Sequence, residues 1–267
     1  MLVPDASFEV YARHRDVVFW KAVSAHAVPN MRPYCDQLSR DKSDVTMTTS
    51  AHSESNQATL TVDFYFDPGC PWAWITSRWM HEVMTVRPVK VQWRSYSLGM
   101  LNEGHDNPDF AAKRAMAKKA LRMIESLLLE GRNDQIGHFY TEMGNRFHIM
   151  GVAASDELMI DAAKAAGVDD KLDIAEDNSW DASVRASLDE AKSLVGPDTG
   201  TPVMAWGNQQ HAIFGPVLSP APTGEAAGRA FDAMVELVQN PAFWELKRNR
   251  GRGPEFGDVD ENCDIPE

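Results

Sequence analysis

Residues 61–79, TVDFYFDPGCPWAWITSRW, constrain the fold more than any other stretch of the chain. The β-rich run from Leu60 to Phe66 alternates and stops at Pro68-Gly69; Trp72, Ile75, Trp79, Val83 and Val86 then recur at helical spacing on one face. A buried strand therefore feeds a helix through Cys70. Pro71 suits the first helical position, where an N–H would have no partner in any case, and this sets Cys70 at the N-cap. The unpaired N–H groups and positive dipole end of a helix favour negative charge, so a thiol there is expected to ionise more readily, and the thiolate is the reactive form. A free cysteine is often inert core, but the N-cap position between Pro68 and Pro71 favours the reactive reading.

At 267 residues and 43% hydrophobic, the chain can bury one full core or a domain carrying an insertion. Its net charge of −13, with no basic run, argues against nucleic acid and an anionic membrane surface. Cys35, Cys70 and Cys263 are too few and too scattered for a disulfide scaffold or zinc spacing, and His81, His138, His148 and His211 show no metal pattern. No metal is expected, and the cysteine usage fits a reducing compartment. Residues 17–20 are apolar, but Arg13, Arg15, Asp16 and Lys21 break any signal-like or membrane-spanning run, so a cytoplasmic protein is expected.

Residues 1–58 read as a poorly ordered extension: a short amphipathic helix over 8–27, then a polar linker over 36–57. Met47 offers an alternative start, which leaves two readings of this stretch open. After the Cys70 helix, residues 89–98 alternate as a second strand, the pair forming a βαβ unit. Residues 108–130, 133–149, 156–166 and 177–194 then read as helices, an insertion of about one hundred residues over 99–197. The methionines of residues 116–123 are expected to be core. Residues 201–206 open a short strand with Thr-Pro, a candidate cis bond, and residues 211–214 return as its hairpin partner. Helices follow at 224–239 and 241–248, and residues 251–267 form a tail without periodicity.

This order, with a cysteine between the first strand and helix, resembles the thioredoxin fold in its DsbA-like form: an α/β domain over 59–250 with a helical insertion. Residues 67–79, DPGCPWAWITSRW, resemble the DPxCPWCWxTSRW segment of the mycothiol-dependent nitroreductase family. Segments 97–103, 139–146, 195–202, 214–217 and 245–248 are also similar to that family's counterparts, in order, so the resemblance covers roughly 59–255. It implies a thiol-disulfide oxidoreductase with mycothiol or another small thiol as co-substrate, disulfides or nitroaromatics as substrates, and a homodimer. Cys70 is then the nucleophile, and Pro71, Trp72, Thr201 and the cis-proline Pro202 bind substrate, Thr201 through its backbone. Trp72 is equally compatible with the core.

Two departures matter. The family's second active-site cysteine is Ala73 here, and a histidine of the family is Leu188. A tethered second cysteine resolves a mixed disulfide at high effective concentration; Ala73 cannot, which restricts Cys70 to monothiol chemistry on mixed disulfides or small electrophiles. Cys35 or Cys263 as a remote resolving thiol is the minority reading. Two alternatives stay open. One is a thiol-dependent transferase or isomerase of the kappa glutathione transferase or 2-hydroxychromene-2-carboxylate isomerase type, whose motif has serine in place of Cys70. The other is a non-catalytic thiol-binding or redox-sensing protein.

Overall fold

The computed structural model describes residues 59–105 and 107–257. The expectations for residues 1–58, including the helix over 8–27 and Cys35, and for Cys263 lie outside this range.

Strand β1 (Leu60–Phe66) runs into helix α1 (Pro71–Val86), which returns to β2 (Val89–Ser95). β1 and β2 pair in parallel, from Leu60↔Val89 to Phe66↔Ser95. The chain comes back to the sheet with β3 (Val203–Trp206), antiparallel to β1 from Val62↔Trp206 to Tyr65↔Val203, and β4 (His211–Phe214) pairs with β3. The strand order is β2-β1-β3-β4. Helix α8 (Gly224–Gln239) closes the unit against α1: Trp79 Nε1 donates to the Ala227 carbonyl at 3.1 Å, and Arg87 pairs with Glu225 and Asp232. This is the thioredoxin-like fold, with a helical insertion between β2 and β3.

The insertion comprises α2 (Leu98–Leu101), α3 (Ala111–Leu129), α4 (Asn133–Gly144), α5 (Asp156–Ala165), α6 (Leu172–Glu176) and α7 (Asp181–Val195). The helix expected over 133–149 leaves α-helical geometry at Asn145–Ile149, a single wide π-type turn. Arg122 of α3 is buried, which requires partners; it finds Asp181 at 2.7 Å and the Ala175 carbonyl at 2.9 Å. The core runs through both layers: Met116 and Met123 are buried as expected, and Leu188 is buried in α7.

The alternation of β1 divides its side chains between two faces. Phe64 and Phe66 meet Trp93 and, through Phe66, Tyr140 of α4. Tyr65 lies on the opposite face and donates to Glu190 of α7 at 2.9 Å.

Residues 241–248 do not form the helix expected there. A turn at Asn240, closed by N–H bonds from Ala242 to the Asn240 side chain and from Phe243 to its carbonyl, gives way to chain without regular secondary structure. A segment this short is stable as a helix only if it buries an apolar face, and Trp244 and Leu246 remain 90% and 80% exposed. The described part of the C-terminal segment is docked: Arg252 donates to the Ser219 carbonyl, and the Glu255 N–H to the Ser219 hydroxyl, each at 2.8 Å. No helix among the described residues is long and apolar enough to cross a membrane.

Candidate active site

Cys70 is the N-cap of α1, with φ −86° and ψ 114°, and Pro71 follows at the first helical position. The turn before it is built by Asp67. One carboxylate oxygen of Asp67 accepts the Gly69 N–H at 2.8 Å and the other the Leu98 N–H at 2.8 Å, while its carbonyl accepts the Cys70 N–H at 2.9 Å. This is the Asx-turn chemistry that an Asp-Pro-Gly sequence favours. Gly69 is required for close approach: a Cβ there would stand 2.8 Å from the Lys113 side chain of α3.

The thiol does not cap its own helix. It donates to the Thr201 carbonyl oxygen at 3.6 Å, within sulfur hydrogen-bonding range. The Thr201-Pro202 bond is cis, and the Thr201 hydroxyl donates to the Tyr65 carbonyl at 2.7 Å, tying this loop to the end of β1. The structure thus brings Cys70, Pro71, Thr201 and Pro202 into one site from segments 131 residues apart. Ala73 is fully buried in the first turn. Trp72 is half-buried, and the Arg250 guanidinium lies over its ring at 5.2 Å.

The expectation of an acidic thiol is not met. Cys70 is only 5% exposed, and this burial pushes its pKa up to about 11. The Ala73 and Trp72 N–H groups and Lys113 pull downwards, the Asp67 charge upwards, and burial prevails. Removing a thiolate from water outweighs the helix-end field. Asp67, itself buried, is likewise raised by burial against the Gly69 and Leu98 hydrogen bonds.

Sequence reasoning gave no site role to Tyr96 and Tyr140, which lie near the thiol, or to His148, which it read only as lacking a metal pattern and which backs the Pro68 turn. The Tyr96 hydroxyl donates to the Thr199 carbonyl at 3.2 Å. Tyr140 is fully buried, and the charge of Cys70 bears on both tyrosines. His148, in the π turn, meets the Pro68 carbonyl through Nε2 at 3.2 Å and stacks on Trp74 with ring centroids 6.0 Å apart. Burial lowers the His148 pKa to about 4, so the ring is neutral near pH 7; a carbonyl only accepts, so its Nε2 carries the proton. The available signal was the spacing of Gly137, Tyr140, Gly144 and His148, which puts them along one helical stripe. Among the described residues no group of three or more His, Cys, Asp or Glu side chains could hold a metal ion.

A family model described as Rv2466c-like, mycothiol-dependent nitroreductase Rv2466c, matches residues 69–248. The chain belongs to that family. It is also 31% identical over 196 residues to the uncharacterized protein Rv2286c of Mycobacterium tuberculosis, an alignment covering 70% of this chain and 81% of the relative. Among solved structures, the cytosolic disulfide reductase DsbM of Pseudomonas aeruginosa superposes with a TM-score of 0.43 at 15% identity, over 67% of this chain and all of DsbM. A periplasmic thioredoxin-like protein of Salmonella enterica serovar Typhimurium gives 0.41 at 16% identity, over 68% and 84% of the two chains. Membership of the mycothiol-dependent nitroreductase family puts the protein among thiol-dependent oxidoreductases.

Proposed function

We propose that the protein is a monothiol member of its family, acting through Cys70 on mixed disulfides with mycothiol or a similar small thiol as co-substrate. The observation that carries this reading is the placement of the Cys70 thiol 3.6 Å from the Thr201 carbonyl, beside Pro202, with the non-nucleophilic Ala73 one turn into α1. A substrate disulfide lies along the Thr201 backbone. The Cys70 thiolate attacks one of its sulfurs, the S–S bond breaks, and the departing thiolate takes up the proton that Cys70 released. A second small thiol, deprotonated, then attacks the mixed disulfide on Cys70, regenerates the Cys70 thiol and leaves as a new disulfide. The net reaction is an exchange of thiol partners, balanced in electrons. Pro71 and Trp72 border the substrate, and the cationic side chain of Lys113 favours the transient thiolates. A nitroaromatic compound is the second substrate class that the family name suggests.

The test is intact-mass analysis after exposure to oxidised mycothiol and then to excess reduced mycothiol. One adduct that peptide mapping places on Cys70 and that the second step removes is the expected result, and Cys70→Ser carries none at position 70. An adduct that never leaves would instead make the protein a thiol-binding or sensing module. Conjugation of an electrophile without net redox change would make it a transferase.

A further inference from the structure

The sheet has a second face, away from Phe64 and Phe66. Asp63 and Tyr65 of β1 point to it, and so does Arg94 of β2, which stands opposite Tyr65 in the parallel register. Helices α3 and α7 pack over this face and leave a cleft of about 590 Å³. It is lined by Arg94, by Glu125 and Leu128 of α3, by Trp180 just before α7, and by Ser187 and Glu190 of α7. Small-molecule sites commonly measure about 300–1,000 Å³ and combine apolar walls with a few polar groups. The cleft shares no lining residue with the Cys70 site.

Some polar groups of the cleft are committed. Glu190 accepts the Tyr65 hydroxyl and the Gln209 amide, each at 2.9 Å, and Ser187 donates to the Ser95 carbonyl at 2.7 Å. Others are not. Arg94 donates through Nε to Asp63 at 3.0 Å, while its two Nη groups have no hydrogen-bond partner among the described residues. Glu125 feels the charge of Arg94, yet the two do not pair across the cleft they share. One Glu125 oxygen is buried without a hydrogen-bond partner, beside the fully buried Ser95 hydroxyl, which is unpartnered too. Even a bond between these two would leave open most of the carboxylate's acceptor positions, about four in all. The cleft thus holds an uncommitted cationic fork and an uncommitted carboxylate, next to the apolar surfaces of Leu128 and Trp180.

We propose that this cleft binds a free α-amino acid with an apolar side chain: its carboxylate on the Arg94 guanidinium, its ammonium on Glu125 and Glu190, its side chain against Leu128 and Trp180. Arginine takes a carboxylate through paired N–H groups, and Arg94 is the only cation that lines the cleft. A simple amine would leave Arg94 unused, and a simple anion would face Glu125 and Glu190. Charge complementarity therefore selects a ligand that carries both signs, and the apolar wall selects its side chain. Burial raises the Glu125 pKa and the Glu190 charge raises it further; an ammonium beside the two carboxylates opposes both effects. The inference is independent of the chemistry at Cys70.

The experiment is an NMR titration of the full-length protein with L-phenylalanine and L-leucine, read at the indole N–H of Trp180, which Trp180→Phe assigns. The expected result is a saturable shift with at least one of the two. For an amino acid that binds, the amide, which lacks the carboxylate, and the N-acetyl derivative, which lacks the ammonium, should each bind about tenfold or more weakly, the loss of a charge-assisted contact. Glu125→Gln should weaken the unmodified amino acid by the same factor. The two derivatives need no altered protein, so the comparison survives a variant that fails to fold. Saturation by neither amino acid, or a smaller loss with either derivative or in folded Glu125→Gln, would overturn the proposal. The mycothiol adduct at Cys70 is read separately, so the proposed function and this site can fail independently.

Discussion

The Cys70 thiol donates to the carbonyl oxygen of Thr201, so the residue ahead of the cis-proline holds this sulfur in its protonated form. A carbonyl oxygen repels a thiolate, and this contact acts in the same direction as burial. At rest the sulfur is therefore held as a thiol, and its ionisation forfeits the Thr201 contact.

The pH dependence of Cys70 follows. With the thiol pushed up to about 11, its thiolate fraction grows tenfold per pH unit, so alkylation should rise about a hundredfold from pH 7 to 9 without a plateau. A plateau by pH 8 would mean that the helix-end field prevails over burial. The linked stability has a definite sign. The folded state binds this proton more tightly than an ordinary thiol, with its pKa of 9.0, does, so the contribution is complete below pH 9 and is lost as pH rises through about 11. Urea midpoints across that window should fall less steeply in Cys70→Ser than in the native protein.

Restoring a thiol one turn beyond Cys70 tests the local geometry. Cys70 is the N-cap and Ala73 the third helical residue, and the Trp74 N–H closes the first turn on the Cys70 carbonyl at 3.0 Å. In Ala73→Cys, mild oxidation should remove 2 Da from the intact mass as two thiol hydrogens leave, reversed by dithiothreitol. Ala73 is fully buried, so the reduced variant should be destabilised by about 1–3 kcal/mol through overpacking. Absence of the bond under oxidant would contradict the N-cap placement of Cys70.

The parts legible in the sequence are those whose signals are local. The alternation of β1, the break at Pro68-Gly69, Pro71 and the apolar face of α1 lie within 27 residues and specify strand, turn and helix together. Thr201-Pro202 before a short apolar run was equally readable. The acidity of Cys70 was not, because it depends on how much the rest of the chain covers the sulfur, and Thr201, Tyr96 and Tyr140 come from distant segments. Residues 241–248 misled for a related reason: Pro241 suits a helix start, but no surface among the described residues receives Trp244 and Leu246.

Gly144→Ala sets two effects against each other. Alanine in place of glycine within a helix stabilises by about 1 kcal/mol where there is space. Here the added Cβ would lie 2.2 Å from a fully buried Trp74 ring that Tyr140 and His148 hold on other sides. Overpacking at about 1–3 kcal/mol therefore prevails, and the variant should have a lower urea midpoint than the native protein. A gain in stability would show that α4 can move away from Trp74 at little cost.

Phe256 of the C-terminal segment packs on His148 behind the Cys70 turn. Its ring stacks on His148 at 5.6 Å, and His148 in turn stacks on Trp74, while Arg250 of the same segment lies over Trp72. The anchor is Ser219, held by Arg252 and Glu255. Burial is the first cause of the low His148 pKa of about 4, so Phe256→Ala should move the His148 titration, followed by NMR, upwards towards 6.5. The linked sign is fixed. A depressed histidine contributes stability above its unfolded pKa that is lost as pH falls towards 4, so the variant should lose less stability between pH 6.5 and 4 than the native protein. With the cover removed, alkylation of Cys70 should also quicken severalfold. If His148 still titrates near 4 and the alkylation rate is unchanged, Phe256 neither buries His148 nor controls access to the thiol.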